Sequence, residues 1–563
     1  TKENVLGKDD SPKIGRGVTF GDYDNDGDTD IVIVNNGGFP TLLRNEGGDK
    51  HNWLKVVVMG ATSNRSGIGA KVEMKVGNLW QKREILAGSG YLSQNSLTAE
   101  FGLGDRSRLE VLGITWPSGI KQFVPNVPVN LRTTITEERS TSTSCPHLYV
   151  WDGSKYRFIT DFLGVGALGY PVEPNTYYYP DSDEYIKIDG AFFKPKDGLY
   201  SLQILDSLQE VIYLDEVRLL AIDRPAEVDV YPNERFALLP PFPEFKIHTV
   251  KDVRPPVSAV DDNGNDILPL VRSRDRKHPD FKLLSYKGYT QTHSMILDLG
   301  DLSKAKEIIL IIYGWIEYPE SYSNLAAFQG NVKVKAPSVE VINKDGEWER
   351  VMEIMGFPAG FPKTMTVDLT DKFLTKDYKI RITTNLKIYW DEILVNTFSD
   401  EVPMTVTTLE PINAHLHWKG YPNYFTPDGK KPYIYDYDDV GDTAFWNDQR
   451  GNYTRYGDVT ELLTRTDDKF VIMRHGDEIT VNFDAKRLPE LPSNWSRDFL
   501  FYADGFSKDM DLNTACSSTV EPLPFHGMSS YPYPKEESYP FDEEHLKYIE
   551  EYNTRSILSL NQR

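Results

Sequence analysis

Five aspartates fall between residues 22 and 30 of this chain, Asp22, Asp24, Asp26, Asp28 and Asp30, with Gly27 among them and the strand-like run Ile31 to Val34 directly behind. Carboxylates at alternate positions converge on one hard cation, Gly27 allows the sharp turn, and the Asp28 carbonyl fills the backbone-ligand position. Without a cation, so many like charges in one turn repel one another. The spacing predicts a calcium loop. Such a site stiffens a scaffold without catalysing anything, so it speaks to the module more than to the activity.

Other residues with chemical potential are weaker. Gly164, Gly166 and Gly169 spell G-x-G-x-x-G after a strand-like run, but Pro171 and Pro174 follow at once, where a dinucleotide loop needs a helix. His415 and His417 alternate in A-H-L-H-W, so on a strand both imidazoles share a face. They lack an identifiable third metal ligand. No nucleophile elbow, H-E-x-x-H motif or supported Cys/His pair occurs, and 84 acidic residues leave any carboxylate pair unspecified. Catalytic residues are therefore expected to be none. Tyr177, Tyr178, Tyr179, Trp315, Tyr318, Trp390 and Trp418 either stack on sugars or fill β-sheet interiors. Asn64, Asn452 and Asn494 lie in glycosylation triplets.

The elements that position these residues are mainly β. Short alternating runs of Val, Ile, Thr, Tyr and Phe recur between Gly, Pro, Asn and Asp turns, and helical periodicity is nearly absent. A chain of 563 residues splits into roughly three to five cores. Ser140 to Ser144 reads as a linker and Leu238 to Pro243 as a second break. Asp266, Ile267, Leu270, Val271 and Asp275 match Asp458, Val459, Leu462, Leu463 and Asp467 at identical spacing, each block followed by two strands, which predicts two related β-sandwiches of jelly-roll-like form. The expected domains are 1–50, 51–139, 145–238, 244–400 and 401–520, then an extended Tyr/Pro-rich tail, 521–563, with a short helix at Asp542 to Tyr552.

Composition narrows the partners. A net charge of -22 without a dense basic tract argues against nucleic acid and anionic membrane. No window reaches the ~20 apolar residues of a membrane span. Cys145 and Cys516 are the only cysteines, either two unrelated thiols or one long-range bridge. The chain opens on Thr1, as a processed secreted protein or a fragment would, and millimolar extracellular calcium would keep a modest-affinity loop filled.

The stretch V-T-F-G-D-Y-D-N-D-G-D-T-D-I-V-I-V-N-N resembles an FG-GAP or VCBS-type repeat, a calcium-binding β-propeller blade. That resemblance implies side-chain ligation by Asp22, Asp24, Asp26 and Asp30 and carbonyl ligation by Asp28. Next come G-I-G-A-K-V from Gly67, G-S-G-Y-L-S-Q from Gly88, F-G-L-G from Phe101, W-P-S-G from Trp116 and N-V-P-V-N from Asn126, which resemble an ASPIC/UnbV domain of the cartilage acidic protein kind. From Cys145 onward, C-P-x-L-Y-x-W-D-G, Y-L-D-E-V-R-L-L-A-I-D and V-Y-P-N-E resemble the C-terminal extension of some bacterial proteins carrying that domain. In the family the domain follows several blades, whereas one calcium repeat precedes it here. One blade cannot close a propeller. The expectation is a secreted or cell-envelope, calcium-binding, non-catalytic binding or adhesion protein recognising protein or glycan. The alternatives are a subunit of a larger assembly whose missing blades come from a second chain, and a polysaccharide-active enzyme.

Overall fold

The computed structural model describes residues 13–61, 63–107, 109, 111–118, 121–124, 127–137, 145–441, 449–511 and 513–557. The Ser140 to Ser144 linker, Gly119 and Asn126 lie outside the described residues. The fold is mainly β, and the chain divides near residue 141 into two compact units. No sheet among the described residues closes into a barrel or a propeller.

In the N-terminal unit, strands Gly15–Gly21, Asp30–Asn35 and Thr41–Leu43 form a three-stranded antiparallel sheet. Phe20 lies opposite Ile31 and Ile31 opposite Leu43, while Thr19 lies opposite Val32 and Val32 opposite Leu42. Residues directly opposite share a face, so apolar side chains populate both faces: Val18, Phe20, Ile31, Ile33 and Leu43 on one, Val32, Val34 and Leu42 on the other. Several remain open to solvent, with Phe20 41%, Leu42 48% and Val34 54% exposed.

The rest of this unit is two sheets around one core. Strand Asn52–Met59 pairs in parallel with Leu131–Thr136 and antiparallel with Ala99–Gly104. A four-stranded sheet runs Leu79–Glu84, Lys71–Val76, Val111–Thr115, Lys121–Val124. Leu54, Val56, Val72, Met74, Phe101, Leu112 and Trp116 fill the space between them. Buried Trp116 donates its indole N–H to Gln122 at 2.8 Å, so the W-P-S-G block anchors the core. The G-S-G-Y-L-S-Q block reaches the first strand: Thr19 Oγ1 donates to the Gln94 carbonyl at 2.5 Å, and Phe20 N donates to Asn95 Oδ1 at 3.1 Å. That covers part of an edge that would otherwise present unpaired backbone groups.

The second unit holds two β-sandwiches of matching topology. One has a five-stranded sheet in the order Ser258–Asp261, Tyr289–Asp298, Lys379–Leu386, Ser338–Ile342, Trp348–Met352, facing a three-stranded sheet ordered Lys363–Asp368, Ile309–Ile316, Ile388–Asn396. The other repeats that order with Asn413–Trp418, Asp477–Asp484, Leu199–Leu205, His147–Trp151, Tyr156–Asp161, facing Asp183–Ile188, Trp495–Asp509, Glu210–Pro225, and adds Gly457–Asp458 beyond Asn413–Trp418 and Thr405–Leu409 and Val471–Arg474 along Glu210–Pro225. Their cores correspond too. Leu297, Val341, Ile382, Leu310 and Ile393 fill one, and Ile479, Val150, Leu202, Phe501 and Leu219 fill the other.

Connectivity differs. The 258–396 sandwich is continuous, whereas the other takes strands from before and after it, so one sandwich is inserted into a circularly permuted copy of itself. The segments 145–238 and 401–520, expected as separate domains, supply strands to the same two sheets: Leu199–Leu205 bonds along Asp477–Asp484, and Glu210–Pro225 along Trp495–Asp509. Neither segment can satisfy its backbone alone.

The repeated block has one local structure in both copies. Asp266 Oδ1 accepts from Leu268 N at 3.0 Å, and Asp458 Oδ1 accepts from Thr460 N at 2.9 Å, each opening a single helical turn, Leu268–Val271 or Thr460–Leu463. Val271 and Leu463 then point into their cores. The tail lies on the split sandwich. Phe525, Met528, Tyr531 and Tyr539 are buried beside Tyr213 and Phe470. Helix Glu543–Tyr552 is capped by Asp542, which accepts from His545 N, and strand Arg555–Ile557 pairs with Gly451–Tyr453.

Candidate metal centre

The acidic loop joins the first two strands. Gly27 has φ +107°, and a Cβ there would sit 2.6 Å from the Trp53 ring, so both backbone and packing require glycine. The turn gathers carboxylate oxygens of Asp22, Asp24 and Asp26 within 4.8 Å of one another. Backbone amides hold them: Asp22 accepts from Asp26 N at 3.2 Å and from Gly27 N at 3.1 Å. Asp26 accepts from Asp28 N at 3.1 Å, which keeps its carboxyl below the usual range. Asp24 Oδ1 is buried without a hydrogen-bond partner.

Asp28 and Asp30 behave differently from the other three. The Asp28 carboxylate turns away and accepts from Gly47 N and Gly48 N, each at 3.1 Å, and burial pushes this carboxyl up. Its main-chain carbonyl instead accepts from Lys55 Nζ at 3.1 Å, and the same ammonium lies 2.5 Å from Asp22 Oδ2. Asp30 uses both oxygens on backbone amides, from Tyr23 at 3.1 Å and Asn45 at 2.9 Å, and so ties the neck of the loop.

Two basic side chains occupy this acidic field. Lys55 is buried, and Arg44 sits 2.9 Å from Asp24 and 3.4 Å from Asp26. The donor set of three carboxylates and one carbonyl, with an orphaned Asp24 oxygen, fits a hard divalent ion. Such an ion would displace Lys55 from Asp22 and the Asp28 carbonyl. Sequence reading missed Lys55, although a lysine interrupting the apolar run N-W-L-K-V-V-V-M was a usable signal, since lysine is rarely buried unpaired.

The remaining candidates resolve into structural roles. Gly164–Gly166 forms a single 3-10 turn, and a Cβ at Gly166 would meet the Gly505 carbonyl at 2.7 Å, so close backbone approach explains that glycine. His417 Nε2 pairs with buried Glu478 at 3.0 Å, a hydrogen bond that raises its pKa, and His415 and His417 join no metal-binding group among the described residues. Trp315 and Trp390 are buried, Trp315 stacking on Tyr389 with centroids 5.1 Å apart. Trp418, Tyr177 and Tyr179 keep exposed faces. Cys145 is buried, Cys516 is exposed, and both are free thiols.

Comparison with known families places an ASPIC/UnbV domain, described as "ASPIC and UnbV", at residues 60–142. No curated protein matches the chain. Among solved structures, the crystal structure of BcpA, the major pilin subunit of Bacillus cereus, aligns at 8% identity over 69% of this chain and 97% of its own, with a TM-score of 0.12. A likeness that slight carries no structural argument.

Proposed function

We propose that this chain is a secreted or envelope-associated, calcium-binding, non-catalytic binding protein whose N-terminal sheet is one blade of an FG-GAP/VCBS-type propeller. The supporting observation is the sheet 15–43, which is apolar on both faces with both partly exposed. A sheet at the edge of a two-layer fold needs one apolar face. A propeller blade, packed between neighbours, needs two. Further blades, from an extension of this polypeptide or from another chain, would cover them. Asp22, Asp24, Asp26 and the Asp28 carbonyl would hold calcium, which stabilises the loop between two strands of that blade. The sandwiches then serve as recognition modules for protein or glycan, with Trp418 among the exposed aromatics.

Isolation of the native protein in calcium, followed by identification of every associated segment, tests this. Segments with further D-x-D-x-D-G loops are expected, and Val34→Glu, which places a charge on the second face, should release them if they belong to another chain and open them to proteolysis if they extend this one. Native protein that carries no additional blade would refute the assignment.

A further inference from the structure

The two sandwiches share a device that one of them has elaborated. Within strand Ile388–Asn396, where its register shifts, buried Asp391 accepts from Asp275 N at 3.3 Å and so holds the turn after the repeated block. Its counterpart Asp215, on Glu210–Pro225, accepts from Asp467 N at 3.0 Å and Asp468 N at 2.8 Å. The residue that follows in each turn is left-handed, Arg276 at φ +64° and Asp468 at φ +61°. Arg276 reaches out to Asp428 and the Lys430 carbonyl. Asp468 instead presents a carboxylate beside Asp215, and the tail brings His526 to both.

His526 Nδ1 lies 2.7 Å from Asp468 Oδ1 and 3.7 Å from Asp215 Oδ2, while Nε2 lies 2.6 Å from Asp504 Oδ1 on the neighbouring strand. Ligand atoms of Asp215, Asp468 and His526 all fall within 4.8 Å of one another. Asp215 is 0% exposed, and its Oδ1 is buried without a hydrogen-bond partner. An imidazolium between Asp468 and Asp504 would satisfy those two carboxylates and leave this oxygen orphaned. Oδ2, the oxygen nearest the ring, already accepts from the Asp467 and Asp468 amides, and a divalent ion bound by this carboxylate would supply the partner that it lacks.

We propose that Asp215, Asp468 and His526 Nδ1 form a binding site for a borderline divalent transition ion of the zinc class, with Asp504 orienting the imidazole from behind. One imidazole with two carboxylates suits such an ion, and a carboxylate on the far ring nitrogen is the usual support for a metal-bound histidine. His526 and Asp468 are partly exposed, so solvent reaches the site and completes the coordination. Burial pushes the Asp215 carboxyl up to about 8, and a bound ion would hold it ionised. This site is independent of the acidic loop, whose all-oxygen donors suit a harder cation.

Chelator-stripped full-length protein titrated with Zn²⁺, and with Co²⁺ as a spectroscopic probe, tests the proposal. One equivalent is expected beyond any taken up by the acidic loop, retained in Asp24→Ala and lost in His526→Ala and Asp468→Asn. Asp504→Asn should weaken uptake roughly 10- to 100-fold. Because the histidine also packs against Phe506, a second readout uses the unaltered protein: one equivalent of Zn²⁺ should abolish the pH titration of the His526 ring resonances. Absence of stoichiometric uptake, or uptake that leaves those resonances titrating, overturns the proposal.

Discussion

Lys55 stands where a cation belongs, its ammonium shared between Asp22 and the Asp28 carbonyl. The loop is thereby partly neutralised from within, and any ion must compete with a buried lysine. Lys55→Met should therefore raise calcium affinity by about an order of magnitude in calorimetric titration. The same variant should unfold more readily in chelator, by about 3 kcal/mol, because one partner of a buried pair has been removed. A second residue-scale expectation concerns acid. Burial raises the Glu317 carboxyl, but hydrogen bonds from Lys387 at 2.5 Å and Lys431 at 2.8 Å outweigh it and hold the group at about 2. Its unfolded value is near 4.3, so the stabilisation is complete above that pH and is lost as pH falls toward 2. Glu317→Gln should lower stability at neutral pH by about 1–2 kcal/mol, with a difference that shrinks across this window in denaturant melts.

Among the elements, the loop and the repeated turn show what spacing can and cannot reveal. Gly27→Ala should cost about 2 kcal/mol in thermal unfolding of the N-terminal unit, since alanine resists φ +107° and its Cβ meets Trp53. That glycine was legible because a turn between alternating aspartates needs it. Asp266 and Asp458 were legible as equivalent because each opens the same turn with the same hydrogen bond. Asp30 was legible as part of the loop, but not its use on the Tyr23 and Asn45 amides, because the second partner comes from beyond the third strand. His526 was silent for the same reason: the strand and turn that make its surroundings are distant in sequence. Spacing reports local geometry, while a site assembled from three segments leaves no spacing to read.

At the scale of the whole molecule, the duplicated blocks 266–316 and 458–506 run in the same order and so read as tandem domains. Their partner strands follow in one copy, at 338–396, and precede in the other, at 147–225, and only the hydrogen bonding discloses that permutation. Residues 244–400 expressed alone should fold cooperatively by circular dichroism and thermal melt. Residues 401–520 should not, having lost the central strands Leu199–Leu205 and Glu210–Pro225. The proposed function rests at the other end of the chain, on a sheet with two apolar faces and an acidic loop between its strands. Sedimentation velocity of the native protein, in calcium and then in chelator, measures this most directly. A particle heavier than 64.2 kDa is expected, and chelator or Val34→Glu should lower its mass if the further blades are a second chain, or its sedimentation coefficient if they extend this one. A single 64.2 kDa species, indifferent to calcium and to that substitution, would contradict it.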